Sequence, residues 1–185
     1  MIVNLARTYA AEQCEHSRNR LSKAFFHEHI LPVDAFAMRL ADRLGADREI
    51  VEIASYLHDI SAVEDIETLR VHPERSAKIA VDLLSHWEYP GERIVDVRNC
   101  IAAHSTPLPP GAASPEEVCL SQADAMALIA RIPYWFYFAF KVRGLVFEEG
   151  KQWIRDRVEK NWSALIPPAR EMIATEYEAA RVCLQ

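Results

Sequence analysis

Glycine is scarce, at five residues in a chain of 185, and stretches in which β-branched side chains alternate with polar ones are nearly absent. Half-buried strands need that alternation, so the sequence argues against sheets and for helices. Cysteine is sparse as well: Cys14, Cys100, Cys119 and Cys183 are scattered with no C-x-x-C pair. That pattern excludes a disulfide framework and a thiolate zinc site, and it suits a reducing compartment. A basic excess is also missing. The net charge of -6 and the pI near 5.7 remove the long-range attraction on which nucleic-acid duplexes and anionic membranes draw. The longest apolar run, Ile132 to Phe140, falls far short of the ~20 residues that a membrane-spanning helix needs. The first residues, MIVNLARTYAAEQCE, lack the basic start and unbroken apolar core of an export signal, with Arg7 placed where that core would lie. The expectation is a cytoplasmic protein with small-molecule partners. Anionic ones remain open, because bound metal ions can supply local positive charge in an acidic protein.

What is present is an ordinary globular composition, 50% hydrophobic and 26% charged, enough to fold one core at this length. Apolar residues recur at spacings of three and four. From His29 to Leu44 the stripe is His29, Val33, Phe36, Ala37, Leu40 and Leu44, followed by Gly45 as a stop. Asp47 to about His58 places Ile50, Ile53, Ala54 and Leu57 inward, with acidic residues toward the helix start. After Val71, His72, Ser76, Ile79, Ala80, Leu83 and Trp87 share one side, and Pro73 is tolerated in the first turn. From about Gly91 the series Ile94, Val97, Ile101 and His104 follows, broken by Pro107, Pro109, Pro110 and Gly111. Ser114, Pro115 and Glu117 then spell a helix start, and Asp124 stands on an apolar side of that helix, four residues from both Leu120 and Leu128. Two more amphipathic stretches, about Phe147 to Trp162 and Pro168 to Cys183, complete an all-α, compact single-domain bundle over 1–185, with Pro167 and Pro168 breaking helices rather than linking domains.

Each of five helical segments thus carries a histidine or carboxylate at an end or on an inward face: His29, His58 with Asp59, His72, His104 and Asp124. A buried charge without partners costs several kcal/mol, so their repetition makes sense if they converge on a shared cation. Imidazole and carboxylate together suit a divalent first-row metal such as Fe, Mn, Co, Ni or Zn.

In this order, H…HD…H…H…D, the chain resembles the HD-domain superfamily of metal-dependent phosphohydrolases. The matching residues are His29 in FHEHILPV, His58 and Asp59 in ASYLHDIS, His72 in VHPERSAKIA, His104 in CIAAHS and Asp124 in SQADAM, over about residues 24–131. The resemblance implies a first metal held by His29, His58, Asp59 and Asp124. It also implies a second ion on His72 and His104, with Asp59 between the two and catalytic for that reason. Two such ions lower the pKa of water and stabilise charge developing on a phosphoryl group, so hydrolysis needs no protein nucleophile. Subfamily tetrads differ here: Ser61 stands where the HDIG pattern has glycine, Glu64-Asp65 comes two residues later than in HD-x-x-ED, and Ala62 replaces the glutamate of HD-x-x-E. Known specificities therefore do not transfer, and the implied substrate is a small phosphorylated metabolite or nucleotide.

Among the remaining residues, Arg75 shares the face of His72 and reads as a contact for substrate phosphate or a surface ion pair. His27 is an alternative to His29 that lacks the spacing of four to Val33, while His16 and His86 read as surface or helix-end residues. The aromatic run Tyr134, Trp135, Phe136, Tyr137, Phe138 and Phe140 reads as core or as the contact of a homodimer. Lys151, Arg155, Arg157 and Lys160, among Asp156 and Glu159, read as a solvated helix face. Two rival functions stay open: a di-iron oxygenase on a similar six-residue site, and a binding module in which a metal only knits helices together.

Overall fold

Helix punctuation written in the sequence sets the architecture. The computed structural model describes residues 1–105 and 111–185, and every regular element among them is helical. Helix α1 spans Ile2–Glu15; a π-helical turn at Phe26–Ile30 leads into α2 (Leu31–Leu44), then α3 (Arg48–Leu57) and α4 (Ile60–Glu64). A 3-10 turn at Ile66–Arg70 precedes α5 (His72–His86) and α6 (Gly91–Ala103). Then come α7 (Pro115–Ala130), α8 (Ile132–Tyr137) with a second π turn at Phe138–Val142, α9 (Phe147–Ala164) and α10 (Pro167–Cys183). The expected break at Pro107, Pro109 and Pro110 lies outside the described residues.

The caps explain the boundaries. Gly45 ends α2 in the left-handed region at φ 70°, where its N–H reaches the Ala41 carbonyl at 2.9 Å. Asp47 caps α3 by accepting from the N–H groups of Glu49 and Ile50 at 3.0 and 3.2 Å. Ser114 and Glu117 form a reciprocal capping box, with Glu117 N–H on Ser114 Oγ at 3.2 Å and Ser114 N–H on Glu117 Oε2 at 2.7 Å. Pro73 and Pro115 sit in first turns, where no helical hydrogen bond is lost.

Two elements depart from expectation. The N-terminal segment forms α1, whose inward face is Ala6, Ala10 and Cys14. These small residues pack closely but leave only a faint hydrophobic stripe in the sequence. His29 does not begin the α-helix that carries Val33; it lies in the π turn before it, where the extra residue per turn shifts the register.

Helix α7 is the centre of the molecule. It packs against α2, α3, α6, α9 and α10, and Leu120, Ala123, Met126, Ala127 and Ile129 are buried along it. The buried apolar residues form one cluster from Ala6 to Leu184. The two last helices are tied in by Gln122 of α7, whose side-chain oxygen accepts from Ile166 N–H at 2.7 Å at the break between them. The face of α9 read as solvated does more than meet water. Lys151 donates to the Gln185 carbonyl at 2.7 Å, and Arg155 donates to the Leu184 carbonyl, so both fasten the end of α10.

Candidate metal centre

Helix ends aim the histidines. His58 caps α3 at its C-terminus, His104 caps α6, and His72 opens α5. Each fixes its ring by an Nδ1–H donated to the carbonyl three residues earlier: His58 to Ser55 at 2.8 Å, His72 to Leu69 at 2.9 Å and His104 to Ile101 at 2.7 Å. A carbonyl can only accept, so Nδ1 holds a proton in all three rings and Nε2 is the atom turned toward the cluster. This is the arrangement that metal-ligating histidines use to fix tautomer and aim.

The Nε2 atoms meet in pairs, His29 with His58 at 3.2 Å and His72 with His104 at 3.0 Å. Asp59 stands between the pairs. Its Oδ2 is 3.3 Å from His29 Nε2 and 3.4 Å from His58 Nε2, whereas its Oδ1 is 3.0 Å from His72 Nε2 and 3.7 Å from His104 Nε2. Asp124 Oδ1 joins the first pair, 3.2 Å from His29 and 3.9 Å from His58. Two groups therefore have ligand atoms close enough to share an ion, His29 with His58 and Asp59, and Asp59 with His72 and His104. All six residues expected at the site come together.

Lone pairs of neighbouring Nε2 atoms repel unless a proton or a cation lies between them. The electrostatics are consistent with this demand. Burial disfavours the charged form of His29 and of His72, yet Asp124 and Asp59 beside the first, and Asp59 beside the second, raise both to about 9. His104 is pushed down to about 4 by burial and by the charge of His58. Burial opposes ionisation of the two acids, but the surrounding imidazoles overcome it. His58, His72 and His29 hold Asp59 well below the usual carboxylate range, and His29, His104 and His58 hold Asp124 at about 2. The donor set thus fits divalent metal: ionised carboxylates and imidazoles aimed at common points.

The cluster opens on one side. The side chains of His58 and His104 are 0% and 1% exposed, whereas those of Asp59, Asp124 and His72 are 15%, 26% and 17% exposed. Solvent reaches the carboxylates and His72, and the other imidazoles form the floor. Ser105 flanks the opening with its hydroxyl 3.3 Å from His72 Nε2.

Supporting contacts come from residues that sequence spacing does not single out. Ser61 donates its hydroxyl to the His72 carbonyl at 3.2 Å and accepts from Ser76 at 3.0 Å, while Ser76 Oγ accepts the Ser61 N–H at 3.2 Å. Thr68 Oγ1 lies 3.3 Å from Ser61 Oγ. These buried hydroxyls lock α4 against the start of α5 and so place His72 relative to Asp59. Phe25 stacks on His29 at 4.9 Å, and Trp135 meets it edge-on at 5.8 Å, so part of the aromatic run walls the centre. Arg75 is exposed on α5, and among the described residues no ion pair or hydrogen bond holds its side chain. His27 is exposed, and His16 and His86 are exposed at helix ends, apart from the cluster.

Comparison with known proteins agrees with this arrangement. The family profile described as "HD domain" matches residues 26–129, a span that contains all six clustered residues. No curated protein matches the chain. A solved structure described as a predicted HD superfamily hydrolase, from an uncultured Thermotogales bacterium, is similar at 23% identity and a TM-score of 0.57. The match covers 94% of this chain and 90% of that one, so the likeness of fold extends through the C-terminal helices.

Proposed function

Because the chain belongs to the HD domain family, we propose that it is a metal-dependent phosphohydrolase that uses water to cleave a phosphoester of a small metabolite or nucleotide in the cytoplasm. The observation that carries the reading is the division of Asp59, with one oxygen beside His29 and His58 and the other beside His72 and His104. Asp124 completes the first set. One or two divalent first-row ions held there (Fe, Mn, Co, Ni or Zn) would supply acidified water and offset the charge developing on a phosphoryl group.

The chain's own residues support that chemistry in three ways. Asp59 and Asp124 remain ionised across the physiological range, so the site presents two formal negative charges to cations. His58, His72 and His104 keep their proton-bearing nitrogen on a backbone carbonyl and leave Nε2 toward the cluster. Arg75, exposed one turn beyond His72, would supply a guanidinium to a phosphate oxygen entering from the exposed side. The buried thiols are poor nucleophiles, since burial pushes Cys14 and Cys119 up to about 12.

The test is metal analysis of protein purified without added metal, followed by phosphatase assays on a metabolite panel under each ion. Bound metal with ion-dependent phosphate release is the expected result. Oxygen consumption by the iron-loaded protein without phosphate release would replace the proposal with an oxygenase. Bound metal with neither reaction would leave a structural module.

A further inference from the structure

The C-terminal helices bring two cations to the edge of the centre. Arg143, just after the second π turn, and Arg157, on α9, hold their guanidinium carbons 5.0 and 4.7 Å from the centre of the Trp153 ring. Phe138 stacks on Trp153 at 5.8 Å, and Trp135 packs beside it at 6.4 Å. Trp135 in turn meets His29 at 5.8 Å, so one aromatic wall joins the arginine pair to the histidine cluster. The other arginines of α9 and α10 are engaged: Arg155 and Arg170 with backbone carbonyls, and Arg181 with Glu178. Among the described residues neither Arg143 nor Arg157 has a carboxylate partner, and both reach solvent. Arg157 lies close enough to Asp124 and Arg143 to feel both charges. Two guanidiniums against one ring, with no carboxylate paired to either among the described residues, keep donors free for an incoming anion.

We propose that Arg143 and Arg157 form a subsite for a second anionic group of the substrate, phosphate or carboxylate, beside the metal centre. The subsite rests on the phosphohydrolase reading and narrows it to small molecules that carry two negative groups. The guanidiniums lie on Trp153, which is joined to His29 through Trp135, so the group they hold is displaced from the one over Asp59. Paired guanidiniums match the planar, multidentate acceptor geometry of such groups.

Isothermal titration of the metal-free full-length protein with inorganic pyrophosphate and with malonate tests the subsite without any turnover. Wild type should bind at least one of them, and the better ligand tells phosphate from carboxylate. R143Q/R157Q should weaken that binding by about tenfold or more, and R143K/R157K should restore part of it. On the metal-loaded protein, R143Q/R157Q should raise KM for a doubly anionic substrate, with little change for p-nitrophenyl phosphate. Equal anion affinity in wild type and R143Q/R157Q, or no binding by wild type, overturns the subsite. If anion binding follows the arginines but the protein takes up no metal, the hydrolase reading fails and the subsite stands.

Discussion

At the scale of single residues, Asp59 carries the greatest burden, because its two oxygens face different histidine pairs. Replacing it by alanine should abolish metal-dependent turnover and reduce bound metal in both groups, while far-ultraviolet circular dichroism stays close to wild type. Full activity in Asp59→Ala would refute its place at the centre. Ser61 acts less directly. Its hydroxyl lies in the interior between the His72 carbonyl and Ser76, so Ser61→Ala leaves polar atoms of both without their partner. A buried unsatisfied group costs about 1–3 kcal/mol; chemical denaturation should show a loss of that size, together with weaker metal binding. The histidines and acids of the cluster were legible in the sequence because each falls on an inward helix stripe or at its end. Ser61 was visible only as a departure from a motif, since a serine that bonds to serines on other elements leaves no periodic trace.

At the scale of elements, the caps at Asp47 and Ser114 and the stop at Gly45 follow from local chemistry and were readable in advance. The π turn at Phe26–Ile30 was not, because no residue type marks one, and it moves His29 out of register with Val33. Helix α1 escaped notice because its buried stripe is Ala6, Ala10 and Cys14. Arg157 meets Trp153 as a pair four residues apart on α9, whereas Arg143 reaches the same ring from outside that helix, which charge patterning along α9 alone does not reveal. A test of packing at this scale is Gly150, buried in α9 against Phe140. In an open helix Gly→Ala gains about 1 kcal/mol. Here a Cβ would overlap the Phe140 ring, which is itself stacked between Phe136 and Phe147. Gly150→Ala should therefore lower the thermal midpoint, and adding Phe140→Ala should recover part of the helix gain, giving a non-additive double-mutant cycle.

For the whole molecule, the cluster sets how stability answers to pH. His29 and His72 titrate at about 9 in the fold against 6.5 for free histidine, so their contribution is complete below pH 6.5 and is lost as the pH rises through 9. His104 runs the other way: with its pKa at about 4, its contribution is complete above pH 6.5 and is lost as the pH falls toward 4. The metal-free protein should be most stable near pH 6.5, with its melting temperature falling on both sides; a flat profile from pH 5 to 9 would contradict the geometry. Added metal should lift the alkaline side most, because protons on His29 and His72 no longer compete there. The all-helical class and the continuity of α9 and α10 with the core were legible from periodicity. The opening on the carboxylate side was not, since it arises only where helices from distant parts of the chain end together.

The division of Asp59 has a further consequence for how the centre fills. A carboxylate that has given electron density to a cation on one oxygen is a poorer donor on the other, so occupancy on the His29 side weakens the His72 side, and the reverse. Uptake should then proceed in two unequal stages, the stronger on the His29 side, where Asp124 adds a second carboxylate. A titration that resolved a single uniform stage for two ions would contradict that coupling.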